Sequence, residues 1–299
     1  MIPICLITGF LGTGKTTLLK RLVTENRDRK WIYLINEFSA MDVDGAIVSQ
    51  ENPDVISIPG GSIFCKCLVT EFIGQMTKIH EQHSDAEGVI IEASGMADPR
   101  VIADMLVETG LGTYFVLHHM ITIVEPRSFL RLIHTLPNIT HQVEAADLVL
   151  LNKCDLFKEE QLQETERAVR NIKENVKLTR CMNAEANLKL FSDRTTHKEL
   201  HGEYAKCRDP RYSSFSVELS SALDPKKLKS FVLANEETVY RVKGVVETKD
   251  GPVYFDYSKA GFSITPTGAR ASYGLAWIIR GGAEEQLNPS TVRANLFSS

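Results

Sequence analysis

Short apolar runs alternate with amphipathic segments along the first part of the chain. The runs are rich in Val, Ile and Leu and lack the polar alternation of a half-exposed strand. Predicted strands cover residues 4–8, 31–35, 55–59, 88–92, 115–124, 148–151 and 176–181, and predicted helices cover 17–23, 67–82, 126–136 and 158–174. Because continuous apolar strands need cover on both faces, the pattern indicates an α/β domain with a mostly parallel, doubly wound sheet.

The pattern changes near residue 197, where charged and polar residues dominate. We interpret 197–210 as a linker between a first domain at 1–196 and a second at 211–299. Beyond the linker, the predicted elements are a strand at 212–219, a capped helix at 224–234, strands at 239–247, 253–257 and 272–279, and a short helix with a loose tail at 284–299. These elements predict a smaller α+β domain.

Composition excludes several classes of protein. The chain has 299 residues, of which 43% are hydrophobic and 24% charged, with a net charge of −4. No apolar run approaches the ~20 residues of a membrane span, and the charge is not the basic excess of a nucleic-acid-binding protein. The apolar start lacks the basic region of a signal peptide, and six scattered cysteines are typical of thiols. We therefore expect a cytoplasmic protein without membrane or nucleic-acid partners.

A phosphate-binding loop follows the first predicted strand. Residues 9–17 read GFLGTGKTT and match G-x-x-x-x-G-K-[ST] at every specified position, between a strand and a helix. The predicted phosphate-binding residues are Gly9, Gly12, Thr13, Gly14, Lys15, Thr16 and Thr17. Glycines let the backbone N–H groups converge on phosphate, Lys15 adds charge, and the Thr16 hydroxyl suits Mg²⁺. The alternative is a Gly-rich turn without a ligand.

A second motif indicates which base is bound. Asn152, Lys153 and Asp155 form N-K-x-D after the strand at 148–151, which is the guanine-reading element of P-loop GTPases. The Asp155 carboxylate can accept from both N1–H and N2–H₂ of guanine, and adenine offers neither donor there. We expect Asn152 and Lys153 to brace the loop and line the base, with Asn183 and Ala184 completing the pocket.

One buried strand carries an acid at its carboxyl end. Glu92 ends the strand at 88–92, and Gly95 follows in the next turn. We expect Glu92 to lie on the Mg²⁺ side of the site and the Gly95 N–H to reach the γ-phosphate. The catalytic candidates are therefore Lys15, Thr16 and Glu92. An acid at a strand end can also simply be solvated.

The chain resembles the CobW family of P-loop GTPases, whose members are associated with metal or cobalamin metabolism and described as metallochaperones. The shared segments are 9–17, 36–38 with Asp44, 60–61, 92–99, 152–155 and the R-x-K-G stretch at 241–244. The resemblance implies that Asp44 belongs to a switch loop near Mg²⁺, with Thr16 and Glu92, and that Glu37 lies near a transition-metal site. In this chain Ser39 stands where the family usually has Gly.

The metal motif differs from the family pattern. The family typically has G-G-C-x-C-C, whereas residues 60–67 read GGSIFCKC, so only Cys65 falls on a family cysteine position. Cys65 and Cys67, with Glu37, could bind Zn²⁺ or Co²⁺, although a closed zinc site needs four ligands. The alternative is that both are ordinary thiols. The histidine pairs 80/83, 118/119 and 197/201 are better explained without a metal.

Three functions fit these observations. The leading hypothesis is a GTP-hydrolysing, Mg²⁺-dependent switch that gates delivery of a metal or metal cofactor to a metalloprotein client. The second is a GTPase chaperone of a corrinoid enzyme with no metal site of its own. The third is a non-catalytic scaffold. Slow intrinsic turnover is expected, because the sequence offers no identifiable arginine finger or water-positioning Gln. A nucleotide-dependent homodimer is a candidate assembly.

Overall fold

The first part of the chain forms a parallel sheet covered by helices. The computed structural model describes residues 1–36, 55–58, 69–191, 200–202, 212–219, 221–259, 261–267 and 273–297. The strands of the first sheet are β1 (Ile2–Gly9), β2 (Trp31–Asn36), β3 (Val55–Ile58), β4 (Gly88–Glu92), β5 (Phe115–Val124), β6 (Leu148–Leu151) and β7 (Lys177–Arg180). Their order is β3-β2-β4-β1-β5-β6-β7, and every recorded pair is parallel. The predicted doubly wound α/β domain is confirmed.

Helices cover both faces of this sheet. They are α1 (Lys15–Glu25), α2 (Val69–Gln82), α3 (Val101–Glu108), α4 (Pro126–Leu132), α5 (Pro137–Ala145) and α6 (Glu159–Ile172). Leu18, Leu19 and Leu22 of α1 pack on one face, and Phe72 and Met76 of α2 pack on the other. Because β1 and β4 are central, the loops at their carboxyl ends lie in the middle of one edge of the sheet.

The helix predictions for this region were incomplete in two places. The helix predicted at 126–136 ends at Leu132, and the helix α5, which was not predicted, starts at Pro137 after Leu136, which is extended at φ −121° and ψ 99°. The helix α3 was not predicted. It is only eight residues long and has no side-chain cap, so neither of the usual signals of a helix start marks it.

The second sheet is antiparallel and belongs to the C-terminal region. Its strands are β8 (Tyr212–Glu218), β9 (Val239–Val246), β10 (Val253–Ser258), β11 (Gly261–Pro266) and β12 (Gly274–Arg280), in the order β11-β10-β9-β12-β8. Helices α7 (Pro225–Ala234) and α8 (Pro289–Phe297) pack on one face around Trp277 and Phe255. The α+β prediction is confirmed, although it omitted β11, whose side chains are largely exposed and carry little apolar pattern.

The two sheets share a cluster of apolar side chains. Phe10, from the first loop, packs with Tyr212 and Ile278 of the C-terminal sheet. The Phe10 ring meets Tyr240 edge to face, with 6.4 Å between the ring centroids. Most of the predicted linker at 197–210 lies outside the described residues. An ion pair between Arg131 and Glu237, at 3.9 Å, also joins the two regions. Within the described ranges, no helix combines the length and hydrophobicity needed to cross a membrane.

Candidate functional site: a nucleotide pocket

The glycine-rich loop turns from β1 into α1. Gly14 is the residue before α1 and has a left-handed backbone, with φ 114° and ψ 21°. Lys15 is only 5% exposed, and its Nζ donates to the carbonyl oxygens of Gly9 at 2.9 Å and Phe10 at 3.0 Å. The lysine charge is therefore held inside the loop, and the N-terminal end of α1 points at the same space. This arrangement is typical of an anion-binding site.

Glycine is required at position 14 for reasons of space as well as conformation. A Cβ atom there would lie 2.4 Å from the Asn152 amide nitrogen, which cannot be accommodated without movement. The same amide donates to the Thr13 carbonyl at 2.8 Å. The two motifs that the sequence places far apart are thus in direct contact.

Asn152 connects three loops. Its Nδ2 donates to Thr13, and its Oδ1 accepts from the Ala184 backbone N–H at 2.8 Å. Asn183 and Ala184 both have left-handed backbones, at φ 49° and 55°, so the chain turns sharply beside this amide. Asn152 is buried, and these hydrogen bonds of its side chain join the phosphate loop to the 183–184 turn.

Lys153 spans from the second motif to the first. Its Nζ donates to the Gly12 carbonyl at 2.9 Å, and its backbone is left-handed with φ 61°. Burial is the largest influence on its pKa and lowers it, while Glu125 and Asp256 act in the opposite direction. Asp155 lies two residues further on, exposed in the short 3₁₀ helix Cys154–Leu156. Because it is exposed, the Asp155 carboxylate is accessible to the base of a nucleotide.

Two thiols flank this region without being reactive. Cys181 is buried, and its Sγ lies 3.5 Å from the Asn152 Oδ1. Burial raises the pKa of Cys181 to about 12 and also raises that of Cys154. At neutral pH both remain protonated and act as packing groups.

Glu92 and Thr16 meet at the other end of the loop. The Thr16 hydroxyl donates to Glu92 Oε1 at 3.0 Å, and Glu92 is 5% exposed. A hydroxyl and a carboxylate at this distance supply the oxygen ligands that Mg²⁺ prefers, so these residues fit the ion. Asp44, the third predicted Mg²⁺ residue, lies outside the described residues.

The turn after Glu92 rests on the phosphate loop. A Cβ on Gly95 would lie 2.8 Å from the Leu11 backbone nitrogen, so the turn needs glycine here. Helix α5 holds the turn from the other side, because Gln142 donates to the Gly95 and Ala97 carbonyls, each at 3.2 Å. Asn138 also donates to the Met96 carbonyl. Sequence reasoning missed both amides, because the second helix that carries them was not predicted.

Asn36 links this turn to β3. Its Oδ1 accepts from the Ser94 N–H at 3.4 Å, and its Nδ2 donates to the Ile58 carbonyl at 3.2 Å. The segments after Asn36 and after Ile58 carry Glu37, Cys65 and Cys67, which lie outside the described residues. No group of three or more His, Cys, Asp or Glu side chains with metal-binding geometry occurs in the part of the chain that the structure describes.

A cavity of about 480 Å³ lies over the phosphate loop. One wall contains Gly12, Lys15, Thr17, Lys20 and Lys153. The opposite wall comes from the C-terminal sheet and contains Arg241, Tyr254, Asp256, Ser263, Thr265, Pro266 and Thr267. The sequence places Arg241 in a segment shared with the CobW family but does not predict this second wall. The residues of the wall come together only through the register of the strands.

Comparison with known proteins agrees with this architecture. A family model described as CobW/HypB/UreG, nucleotide-binding domain, matches residues 3–180, and a model of the cobalamin synthesis protein cobW C-terminal domain matches 212–287. The zinc chaperone CobW of Sinorhizobium sp is 28% identical over 298 residues, covering 84% of this chain and 83% of that protein. The zinc chaperone YeiR of Escherichia coli is 32% identical over 164 residues, covering 54% of this chain and 49% of YeiR.

Among solved structures, the Zn(II)-bound YjiA GTPase of E. coli aligns over 98% of this chain and 97% of its own, at 19% identity and a TM-score of 0.42. The chain spans about half the length of YeiR but most of the Sinorhizobium protein. The nucleotide-binding model alone matches more than half of the residues. The chain therefore belongs to the CobW/HypB/UreG family and carries a CobW C-terminal domain.

Proposed function

We propose that this protein is a GTPase that uses GTP binding and hydrolysis to control delivery of a metal ion to a client metalloprotein. The observation that carries the nucleotide part is that two other loops make hydrogen bonds to the phosphate loop. Asn152 and Lys153 donate to the loop that holds Lys15, and Glu92 accepts from the adjacent Thr16. The metal part is supported by family membership and by relatives that are named zinc chaperones.

The loop binds the phosphates of GTP. Backbone N–H groups at residues 12–16 surround the α- and β-phosphates, and a phosphate oxygen replaces one of the carbonyls that Lys15 now contacts. Asp155 accepts from the guanine edge, and the turn at Asn183 and Ala184 lines the base. Guanine is preferred over adenine, since adenine would leave the Asp155 oxygens without donors.

Thr16 and Glu92 would hold Mg²⁺ in this site, together with Asp44. An Mg²⁺ ion held by these residues would supply positive charge that offsets the negative charge of the phosphates. The chain's own contribution is to place Thr16 and Glu92 next to each other before the nucleotide arrives. We expect slow intrinsic hydrolysis.

The γ-phosphate is sensed by the turn at Gly95. Because this turn rests on Leu11, a phosphate that accepts from the Gly95 N–H pulls on a backbone already in contact with the loop. Asn36 joins the same turn to the strands that precede the 37–54 and 59–68 segments. Nucleotide state thereby acts through Asn36 on the ends of β2 and β3, the strands that precede the segments carrying Glu37, Cys65 and Cys67.

Hydrolysis is tested by phosphate release from GTP in wild type and in Lys15→Ala. We expect the variant to lose turnover, since the lysine is the loop's own cation toward the phosphates. Lys78→Ala is the matched control, because Lys78 is exposed on α2. Equal rates in wild type and Lys15→Ala would show that the pocket is not a GTPase site and would favour the scaffold hypothesis.

Metal binding is tested by equilibrium titration with Zn²⁺ and Co²⁺. The Cys65→Ser, Cys67→Ser double variant should bind more weakly than wild type, whereas Cys154→Ala, Cys181→Ala removes the same number of thiols and should not. If the first double variant binds as tightly as wild type, these cysteines have no metal role. The corrinoid alternative, in which the client brings the cobalt, would then gain support.

A further inference from the structure

Helices α7 and α8 cover one face of the C-terminal sheet, and part of its other face carries polar side chains. Asp256 of β10 pairs with Ser263 of β11 and with Lys243 of β9, and Tyr254 pairs with Thr265. Directly paired residues of neighbouring strands share a face, as do residues two apart on a strand. The alternate residues Val242, Phe255 and Tyr257 are buried against α7 and α8. Arg241, Tyr254, Asp256, Ser263 and Thr265 therefore project from one side of the sheet, called the polar face below.

The polar face lies opposite the phosphate loop, across the cavity. All five of its residues line the 480 Å³ cavity that Gly12, Thr17 and Lys153 line from the other side. Contact between Phe10 and Tyr240 fixes the two walls beside each other. A ligand held by the loop would thus be enclosed between two domains.

An ion pair with Asp256 fixes the position of Arg241 in this wall. It is 9% exposed, and its Nη2 lies 2.9 Å from Asp256 Oδ2 across the strand pair. A guanidinium fixed by a carboxylate loses less side-chain freedom on binding a phosphate than an unrestrained one. Among the lining residues that the structure describes, Arg241, Lys15, Lys20 and Lys153 are cationic and Asp256 is the carboxylate, so this part of the cavity is positive. Such a charge balance fits a polyanion better than an apolar or cationic ligand.

The composition of the wall also indicates which part of a nucleotide it contacts. On the loop side the cavity runs from Lys15 and Thr16 to Lys20 and Lys153. Neither the base residue Asp155 nor Glu92 and Gly95 is among its described lining residues. The wall therefore faces the middle of a bound nucleotide, between the base and the γ-phosphate. In that part a nucleotide presents the α-phosphate and the two ribose hydroxyls. Asp256, Ser263 and Thr265 offer acceptors and hydroxyl groups that match the ribose diol.

We propose that the polar face is the second wall of the nucleotide pocket, with Arg241 on the α-phosphate and the Asp256–Ser263–Thr265 row on the ribose hydroxyls. This inference rests on the proposed function and adds to it. The C-terminal domain would then bind the nucleotide directly and sense whether the pocket is filled.

The test is equilibrium binding of GDP, which is not hydrolysed, to the full chain. Arg241→Ala should lower GDP affinity by about tenfold or more, the size of a lost charge-assisted hydrogen bond, and Arg241→Lys should restore part of it. Arg293→Ala is the matched control, because Arg293 is exposed on α8, which covers the opposite face of the sheet. Equal affinities for Arg241→Ala, Arg293→Ala and wild type would overturn the proposal.

A second measurement separates direct contact from a structural effect. Wild type should bind 2′,3′-dideoxy-GDP more weakly than GDP, and Ser263→Ala, Thr265→Val should reduce that discrimination at least about threefold. These side chains belong to exposed residues, so this variant carries the test if Arg241→Ala does not fold. Unchanged discrimination would overturn the ribose assignment. A wild type that binds no guanine nucleotide would overturn the proposed function itself, whereas the outcomes above concern only the C-terminal wall.

Discussion

The two sheets of this protein build a binding site in different ways. In the parallel sheet, every strand at the centre is buried on both sides, as in β1 with Ile4, Leu6 and Ile7 at 0% exposure. No face is left for a ligand, so the chemistry lies in the loops at the carboxyl ends. The antiparallel sheet buries one face under helices and presents the other, so its contribution to the cavity comes from the strands themselves.

This difference decides what each wall can do. The loop wall is held by buried hydrogen bonds between residues far apart in sequence, such as Asn152 to Thr13. Loss of one of these hydrogen bonds is therefore expected to displace the whole loop. The strand wall is held by a regular ladder, and its side chains can be exchanged individually without changing the backbone. We therefore expect substitutions in the loop wall to be far more damaging to nucleotide binding than substitutions in the polar face.

Gly14→Ala should have the largest effect. The new methyl group would lie 2.4 Å from the Asn152 amide at a φ of +114°, so the bridge between the two motifs has to move. We expect GDP affinity to fall by about a hundredfold or more, from loss of several buried hydrogen bonds. Gly251→Ala is the control, since Gly251 has φ +104° with open space around it. Gly251→Ala should lose about 1–2 kcal/mol of folding stability from left-handed strain alone, measured by urea unfolding. Gly14→Ala should lose more, because its methyl group also displaces the Asn152 amide. Unchanged GDP binding by Gly14→Ala would contradict the bridge.

Asn152→Ala should have the second largest effect on GDP affinity. It removes the donor to Thr13 and the acceptor for Ala184, but inserts nothing into the loop. Two buried hydrogen bonds at about 1 kcal/mol each correspond to roughly a thirtyfold loss of GDP affinity. Asn235→Ala removes a comparable side-chain bond to Phe231, away from the cavity, and should bind GDP normally. A loss shared equally by both variants would point to general destabilisation instead.

The same difference explains why the loop wall could be predicted from the sequence and the polar face could not. Loop sites leave local signatures, because glycines and polar residues must follow a strand in a fixed order. The motif at residues 9–17 and the strands β1, β4 and β5 could thus be predicted closely. The polar face has no such signature. Arg241 and Asp256 are fifteen residues apart and become partners only through the pairing of β9 with β10.

The missed elements have local physical reasons. Helix α3 is short and uncapped, and β11 is an exposed edge strand with few apolar residues. The join between α4 and α5 depends on Pro137, whose ring favours a helix start and disfavours continuation from Leu136. Because α5 carries Asn138 and Gln142, missing it also concealed the residues that hold the Gly95 turn.

Asp155→Asn sharpens the comparison within the loop wall, because it changes recognition without moving the backbone. Asp155 is exposed beside Lys153, so its replacement should not affect folding. Losing a charge-assisted acceptor should weaken GDP binding by about tenfold. Xanthosine diphosphate carries a carbonyl in place of the guanine amine, and the new amide can donate to it, so its affinity should rise. Asp250→Asn, in an exposed turn of the C-terminal region, is the control. If the Asp155→Asn variant binds both nucleotides as wild type does, Asp155 does not read the base.

The smallest expected effect concerns the contact that joins the two walls. Phe10 and Tyr240 meet edge to face at 6.4 Å, a geometry worth about 0.5–1.5 kcal/mol beyond the apolar area it buries. A double-mutant cycle with Phe10→Leu and Tyr240→Leu, read by urea unfolding without nucleotide, should therefore give a coupling energy of about 1 kcal/mol. Phe231 and Trp277, which pack edge to face at 6.1 Å inside the C-terminal domain, provide a reference cycle. Coupling in the reference pair but none between Phe10 and Tyr240 would mean that the walls are not held together in solution. The loop wall would then have to bind GDP alone, and Arg241→Ala would have no effect on its affinity.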